Sequence, residues 1–222
     1  DTFGLNNNKN GLIKSDKVPK REYKWSETYK PSPSFVSIHL GVKKDLINKD
    51  FNCHHIIVEN WDELENEKGV IFISIPTLLD PSLAPEGKHI IHAFTPSSFN
   101  EWENLSKEDY LKKKQVYYSF LIEKISKIIP GLDQKIDHKE IGTPRTHRKF
   151  LGRFEGSYGP IPNKKLLGLL PMPFNTTKIQ NLYCVGDSCF PGQGLNAVAF
   201  SGYACAHKIG SKLNINSFNL PD

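Results

Sequence analysis

Apolar and polar residues alternate in "PSFVSIHLGVKK", so that Val36, Ile38, Leu40 and Val42 share one face. That period of two predicts a half-buried strand. "CHHIIVEN" and "GVIFISIPT" read as further strands around the charged turn "WDELENEKG", and "GKHIIHAFTP" as a fourth. Short polar connections favour an antiparallel sheet. "TPSSFNEW" offers a Ser N-cap and a short helix. The clearest helix follows in "LSKEDYLKKKQVYYSFLIEKISKIIPG". Ser106 caps it with Asp109 three residues on, Leu111, Tyr118, Leu121, Ile122, Ile125 and Ile129 recur at helical spacing, and Pro130-Gly131 ends it. "QKIDHKEIG" alternates again, whereas residues 1–33 and 142–175 read as loop, the latter rich in Gly and Pro. Near the end, "NLYCVGD" reads as a strand buried on both faces, followed by a helix from about Gly194 to Leu213.

These elements describe an α+β chain: a largely antiparallel sheet with packed helices, then a strand and helix of different character. The expected division is a domain over 1–175, a strand–turn–helix over 176–213 and a tail over 214–222. At 222 residues the chain is long enough for a sizeable core. Apolar residues are 38% of it, a little low, and Lys and Asn collect in loops such as "GLNNNKNGLIKSDKVPKREYK".

The net charge of +5 admits an anionic partner, but "LKKKQ" and "THRK" are short and separate. No basic stripe with interleaved aromatics argues for nucleic acid, and attraction to an anionic membrane surface is the better use of that charge. The four cysteines, Cys53, Cys184, Cys189 and Cys205, form no CxxC pair, so the expectation is reduced, partly buried thiols rather than zinc ligands. His54-His55 are adjacent on a strand and His89/His92 have opposite parity, so neither pair is a natural chelate and no metal site is expected. His147 lies between Arg145 and Arg148 before the Gly/Pro-rich segment, where it suits either a solvated role or the positioning of a ligand.

The chemistry is densest in "LYCVGDSCFPGQGLNAVAFSGYACAHKIG". A strand ends at Gly186-Asp187, a Pro191-Gly192-Gln193-Gly194 turn follows, and a helix opens. A carboxylate at the end of a buried strand can accept hydrogen bonds from the hydroxyls of a nucleotide cofactor. A glycine-flanked helix start offers unpaired N–H groups and a partial positive charge. Ala197, Ser201, Ala204 and Cys205 make a stripe of small side chains that permits close packing. "GQGLNA" matches GxGxxG/A, but too late in the chain and with no following strand and acid, so it is not a primary dinucleotide fingerprint. "GDS" lacks the GxSxG of a nucleophile elbow.

These residues resemble the C-terminal signature of the carotenoid isomerase (prolycopene isomerase) family, relatives of the FAD-dependent phytoene desaturases. Besides "NLYCVGDSCFPGQGLNAVAFSGYACAHKI", the segments "PSFVSIHLGV", "CHHIIVEN", "IFISIPTLLDPSLAPEGKHIIHAFT", "GTPRTHRKFL", "GSYGPIP" and "LLGLLPMPFNTT" read like that family in the same order. The resemblance implies a substrate domain over 1–175 and a strand and helix that return to an FAD-binding fold which this chain does not contain. The missing N-terminal half then lies in the same or a separate chain, and this piece alone is expected to be inactive. Implied further are reduced FAD, a carotenoid substrate and isomerisation of poly-cis lycopene to the all-trans form without net redox change. Carried over by position, Gly186 and Asp187 meet the ribityl–phosphate region, Gly192, Gln193, Gly194 and Leu195 present backbone N–H groups near the flavin ring, and Asn196 adds a side-chain contact. Met172 and Phe174 are candidates for an apolar substrate tunnel; which residues are catalytic stays open. The setting implied is a plastid, at the membrane surface, with a pigment–protein complex as a further partner. Two rivals remain: an FAD-dependent carotenoid desaturase, an oxidoreductase on the same fold, and a non-catalytic carotenoid-binding or structural subunit.

Overall fold

The structure, a computed structural model, describes residues 18–20, 22, 29–64, 66–162 and 172–215. These fall into two compact units: Pro33–Ser157, and the pair of segments Asp1–Ser32 and Tyr158–Asp222.

The Pro33–Ser157 unit is built on a five-stranded sheet in the order His54–Val58, Val70–Ser74, Lys88–Ser97, Ser34–Lys43, Ile136–Gly142. Its strands are β2 (Ser34–Lys43), β3 (His54–Val58), β4 (Val70–Ser74), β5 (Lys88–Ser97) and β6 (Ile136–Gly142), and every neighbouring pair is antiparallel. The alternation in β2 has the expected meaning: Val36, Ile38, Leu40 and Val42 are buried on one face. On that face Ile38, Leu40 and Val42 meet Leu121, Ile125 and Ile129, with Ile71, Ile73, Ile91 and Ala93 from β4 and β5, while Val36 packs with Trp102 and Tyr117. Each such side chain removed from water contributes roughly 1.5–3 kcal/mol.

The helices here are α1 (Asn100–Glu103), α2 (Lys107–Ser126) and α3 (Pro144–Leu151). Ser106 Oγ accepts from Asp109 N at 3.1 Å and donates to the Asp109 carboxylate at 2.7 Å, which fixes the start of α2. Leu111 departs from the expected apolar stripe: it is 54% exposed, because the buried side of α2 runs through Tyr117, Leu121 and Ile125. The N-cap of α1 is Phe99, not a serine; Ser98 contributes its carbonyl to Glu101 N. Above α1, the Trp102 indole N–H donates to Ser97 Oγ at 2.9 Å, and the Tyr117 hydroxyl donates to Glu67 at 2.8 Å. Burial, with Glu67 nearby, pushes the Tyr117 phenol above its usual range.

The helix α3 corrects the expectation of irregular chain across 142–175. "PRTHRKFL" has no apolar period, so hydrophobicity does not announce it. Its ends do. Thr143 Oγ1 accepts from Thr146 N, Thr146 Oγ1 accepts from Thr143 N at 3.1 Å, Pro144 takes the first turn, and Gly152 closes it in the left-handed region.

In the other unit, β1 (Tyr29–Pro31) pairs antiparallel with β7 (Pro160–Pro162). Both lie in segments expected to be loop. The long helix α4 (Leu195–Lys212) matches the expected span closely. The expected strand over 182–185 is absent among the described residues: Tyr183 makes one isolated antiparallel bridge, to Thr176, and Val185 is 55% exposed. An apolar run becomes a strand only where partners flank it, and no described strand does so here.

Candidate cofactor-binding site

The segment 172–201 is held together by one buried hydroxyl. Ser201, on α4, is fully buried; its Oγ accepts from Gly186 N at 3.3 Å and from Asn175 Nδ2 at 3.0 Å. Asn175 Nδ2 also donates to Cys184 O at 2.9 Å, and Asn175 O accepts from Cys184 N at 2.9 Å. The loop 182–186 is thereby pinned against the middle of α4. Of the small-residue stripe, Ser201 and Cys205 are buried and Ala197 and Ala204 half-buried. The outer side of α4 is apolar and exposed instead of enclosed: Leu195 is 83%, Phe200 50% and Tyr203 50% exposed.

The glycines of the turn shape a shallow cradle. Gly186, Gly192 and Gly194 have φ of +107°, +117° and +100°, the region in which side chains are strained. A Cβ added at Gly186 or Gly194 would meet nothing within 4 Å, and one at Gly192 would only reach Met172, at 3.9 Å. Asp187 is half-buried and accepts from Ser188 Oγ at 3.4 Å. Gly159 closes the other side: a Cβ there would lie 2.9 Å from Asp187 O and 3.2 Å from the Gln193 side chain.

No side chain caps α4; Gly194 stands at its N-cap, and Gly194 O accepts from Val198 N at 2.9 Å. The first-turn amides of Leu195, Asn196 and Ala197 have no partner among the described residues. The open faces of Gly186 and Gly194, the unassigned helix-start amides and the half-buried Asp187 carboxylate form a donor and acceptor set that fits a flavin or its ribityl–phosphate chain. The Gly186 amide is already committed to Ser201, so this residue has only its open Cα side to offer. Gln193, Gly194, Leu195 and Asn196 are exposed.

All four cysteines are free thiols. Burial, with Cys184, Cys205 and Asp187 adding to it, pushes the Cys189 thiol up to about 12. Burial raises Cys184 as well. Both remain protonated at neutral pH and supply no nucleophile. Met172 is buried, Phe174 is 52% exposed, and the Phe174 and Phe190 rings lie 5.5 Å apart.

Sequence reasoning missed two features, one in each unit. Asn175 carries no motif; its role depends on a contact 26 residues away. The face of the sheet opposite α2 carries a row of rings: Phe72 and Phe94 at 5.0 Å, Phe94 and Phe35 at 5.0 Å, Phe35 and His147 at 4.6 Å. His39 and His92 stack beside it at 4.5 Å. Period two places Phe35 and His39 there, but the pairing that sets His39 opposite His92, and Phe94 opposite Ser37 and so diagonal to Phe35, is tertiary. Elsewhere His89 is buried against Thr77 Oγ1 at 2.8 Å, His54 lies between Ser74 Oγ at 3.0 Å and Cys53 Sγ at 3.7 Å, and His55 Nε2 lies 2.9 Å from Asn52 O.

The chain is 52% identical over 217 residues to the chloroplastic prolycopene isomerase of Daucus carota, covering 97% of this chain and 34% of that protein. It is 51% identical over 217 residues to the chloroplastic prolycopene isomerase of Arabidopsis thaliana, covering 97% and 36%. By sequence, this chain is a relative of the prolycopene isomerases. It spans about a third of the length of the prolycopene isomerases it matches. A 4,4'-diaponeurosporene oxygenase of Staphylococcus haemolyticus is more distant, at 26% over 193 residues, covering 82% of this chain and 38% of that one. No family model matches the chain. The segment that carries the glycine cradle and α4 lies inside the region shared with the prolycopene isomerases, whose matches leave only a few of the 222 residues uncovered.

Proposed function

We propose that this chain is the C-terminal part of an FAD-dependent carotenoid cis–trans isomerase that converts poly-cis lycopene to all-trans lycopene in the plastid. The observation that carries the reading is the 52% identity over 217 residues to prolycopene isomerases. Residues 1–175 are then the substrate-binding domain, 176–213 the segment of glycine turn and α4 that completes a cofactor fold, and 214–222 a tail. The rest of that fold belongs to the same or a separate chain, and this part alone is inactive.

Within the site, Gly186 and Asp187 would hold the ribityl–phosphate region. Gly192, Gln193, Gly194 and Leu195 would face the flavin ring, with Asn196 at its edge. These residues would hold reduced FAD, whose chemistry when bound would be to lend electron density to the polyene and so ease rotation about a double bond. The chain's own task is to orient and to exclude water. The open glycines let a flat ring approach the backbone, the α4 amides favour negative charge beside them, and Ser201 and Asn175 keep the loop in register. The row from Phe72 to Phe35 offers a conjugated chain a surface of stacked rings. A polyene resides in the membrane, so the protein meets its substrate at a membrane surface; no described helix is long and apolar enough to cross one.

The complete protein, given reduced FAD and poly-cis lycopene in detergent, is expected to yield all-trans lycopene of unchanged mass. Loss of hydrogen without isomerisation would replace this reading with the desaturase. A native protein that carries carotenoid but no flavin absorbance would replace it with the non-catalytic subunit.

A further inference from the structure

The Pro33–Ser157 unit has a cleft of about 660 Å³ between α1, the start of α2 and α3, lined by Phe99, Glu103, Tyr110 and the cationic side of α3. Three cations converge on it, each laid over a ring: Arg145 at 4.8 Å from the Tyr110 centroid, Arg148 at 5.0 Å from Phe99, Lys149 at 5.1 Å from Phe150. Two carboxylates face this group. Glu103 pairs with Arg148 at 3.4 Å, and Glu155, raised by burial, also feels Arg148. Both act on Arg148. Arg145 and Lys149 make no ion pair among the described residues, so the cleft keeps an uncompensated positive pair.

At the end of the same helix, Phe150 is 73% and Leu151 56% exposed. A pocket for free phosphate or a small acid gains nothing from them, and water penalises both. Cations beside projecting Phe and Leu on a short helix are the arrangement of an element that lies in a lipid interface. Charge complementarity then names the occupant, since headgroup phosphates are the anions that stand next to acyl chains.

We infer that the α3 cleft docks the phosphate headgroup of an anionic membrane lipid, with Phe150 and Leu151 entering the acyl boundary. The inference rests on the reading that the protein works at a membrane. It supplies that reading with a surface.

The test is flotation of the complete protein with vesicles of phosphatidylcholine alone and of equal parts phosphatidylcholine and phosphatidylglycerol. Binding is expected to the anionic vesicles and to weaken with salt. R145Q/K149Q should lower it roughly 25-fold, at about fivefold per cation. F150S should lower it at every salt concentration. K112Q/K127Q removes two exposed charges, one from α2 and one from its C-cap, and should leave it unchanged. All these positions are exposed, so folding is not at stake. Equal binding to both vesicle types, wild-type binding by R145Q/K149Q, or displacement by inorganic phosphate with F150S indistinguishable from wild type would each overturn the inference. Assaying the variants on detergent-dissolved poly-cis lycopene separates the two claims. Isomerisation without vesicle binding sinks the docking site alone, and vesicle binding without isomerisation sinks the proposed reaction alone.

Discussion

Ser201 Oγ lies 3.0 Å from Asn175 Nδ2, and this contact joins the middle of α4 to the chain that precedes the glycine turn. Ser201 has no exposed surface, so removing the hydroxyl leaves the Gly186 amide and part of the Asn175 amide without an acceptor. S201A is expected to cost about 1–3 kcal/mol in urea unfolding. Combined with N175A in a double-mutant cycle, it should show a coupling of about 0.5–3 kcal/mol. Independent, additive effects would mean that the loop is held by something else.

Glycine substitutions should divide by what surrounds them. At Gly186 an added Cβ finds open space, so G186A bears only the strain of φ +107°, about 1–3 kcal/mol. At Gly156 the Cβ would stand 2.4 Å from Pro144 O at φ +63°, so G156A adds a backbone clash to that strain. Urea midpoints should rank wild type, G186A, then G156A, and the reverse order of the two variants would contradict the packing around Gly156.

Stability should depend on pH through the histidines. Burial, then the nearby His39 and His147, holds the His92 pKa below its usual 6.5; burial, then Lys44, lowers His89, and burial also lowers His147. Because the folded pKa values are depressed, the unfolded chain binds more protons once the pH drops below about 6.5. The associated stability is complete above that value and is lost as pH falls towards the folded pKa values. Urea midpoints should therefore decline from pH 7 towards pH 5. H92Q should flatten part of that decline; an unchanged slope in H92Q would remove His92 from the account.

Thiol labelling should follow burial. With its pKa at about 12 and 3% exposure, Cys189 should resist iodoacetamide at pH 8 while the chain is folded. Cys53, which is less buried, should label first. Peptide mass spectrometry before and after urea reads both, and prompt modification of native Cys189 would contradict the packing of the 172–201 segment.

What the sequence disclosed depended on whether its signal was local. The period-two run from Val36 to Val42 fixes a strand and its buried face without outside help, and α2 and α4 follow from spacing and end signals. Leu111 shows the limit: helical spacing names a stripe, but the width of the sheet beneath decides which positions it covers. The helix α3 lay hidden because its residues are polar; the Thr143–Thr146 pair was the legible signal and hydrophobicity was not. The run Leu182–Val185 misled for the opposite reason, since its apolar character says nothing about whether strands are present beside it. In the candidate site, Gly186, Asp187, Gly192 and Gly194 were legible from the turn itself. Asn175 and Gly159 were not, because each acts through a partner distant in sequence.

The pairing of β1 with β7 brings Ser32 and Tyr158 together: Tyr158 N donates to Ser32 Oγ at 3.0 Å, and Ser32 N donates to Gly159 O at 3.2 Å. Just inside them, Ser34 Oγ donates to Gly156 O at 2.8 Å. The stretch Pro33–Ser157 is therefore a cassette, entered and left through a single doorway. Segments with adjoining ends of this kind tolerate excision, circular permutation and transplantation into a new host. The sheet with its bank of stacked rings is thus a portable module, open to exchange among relatives while the glycine turn stays where it is.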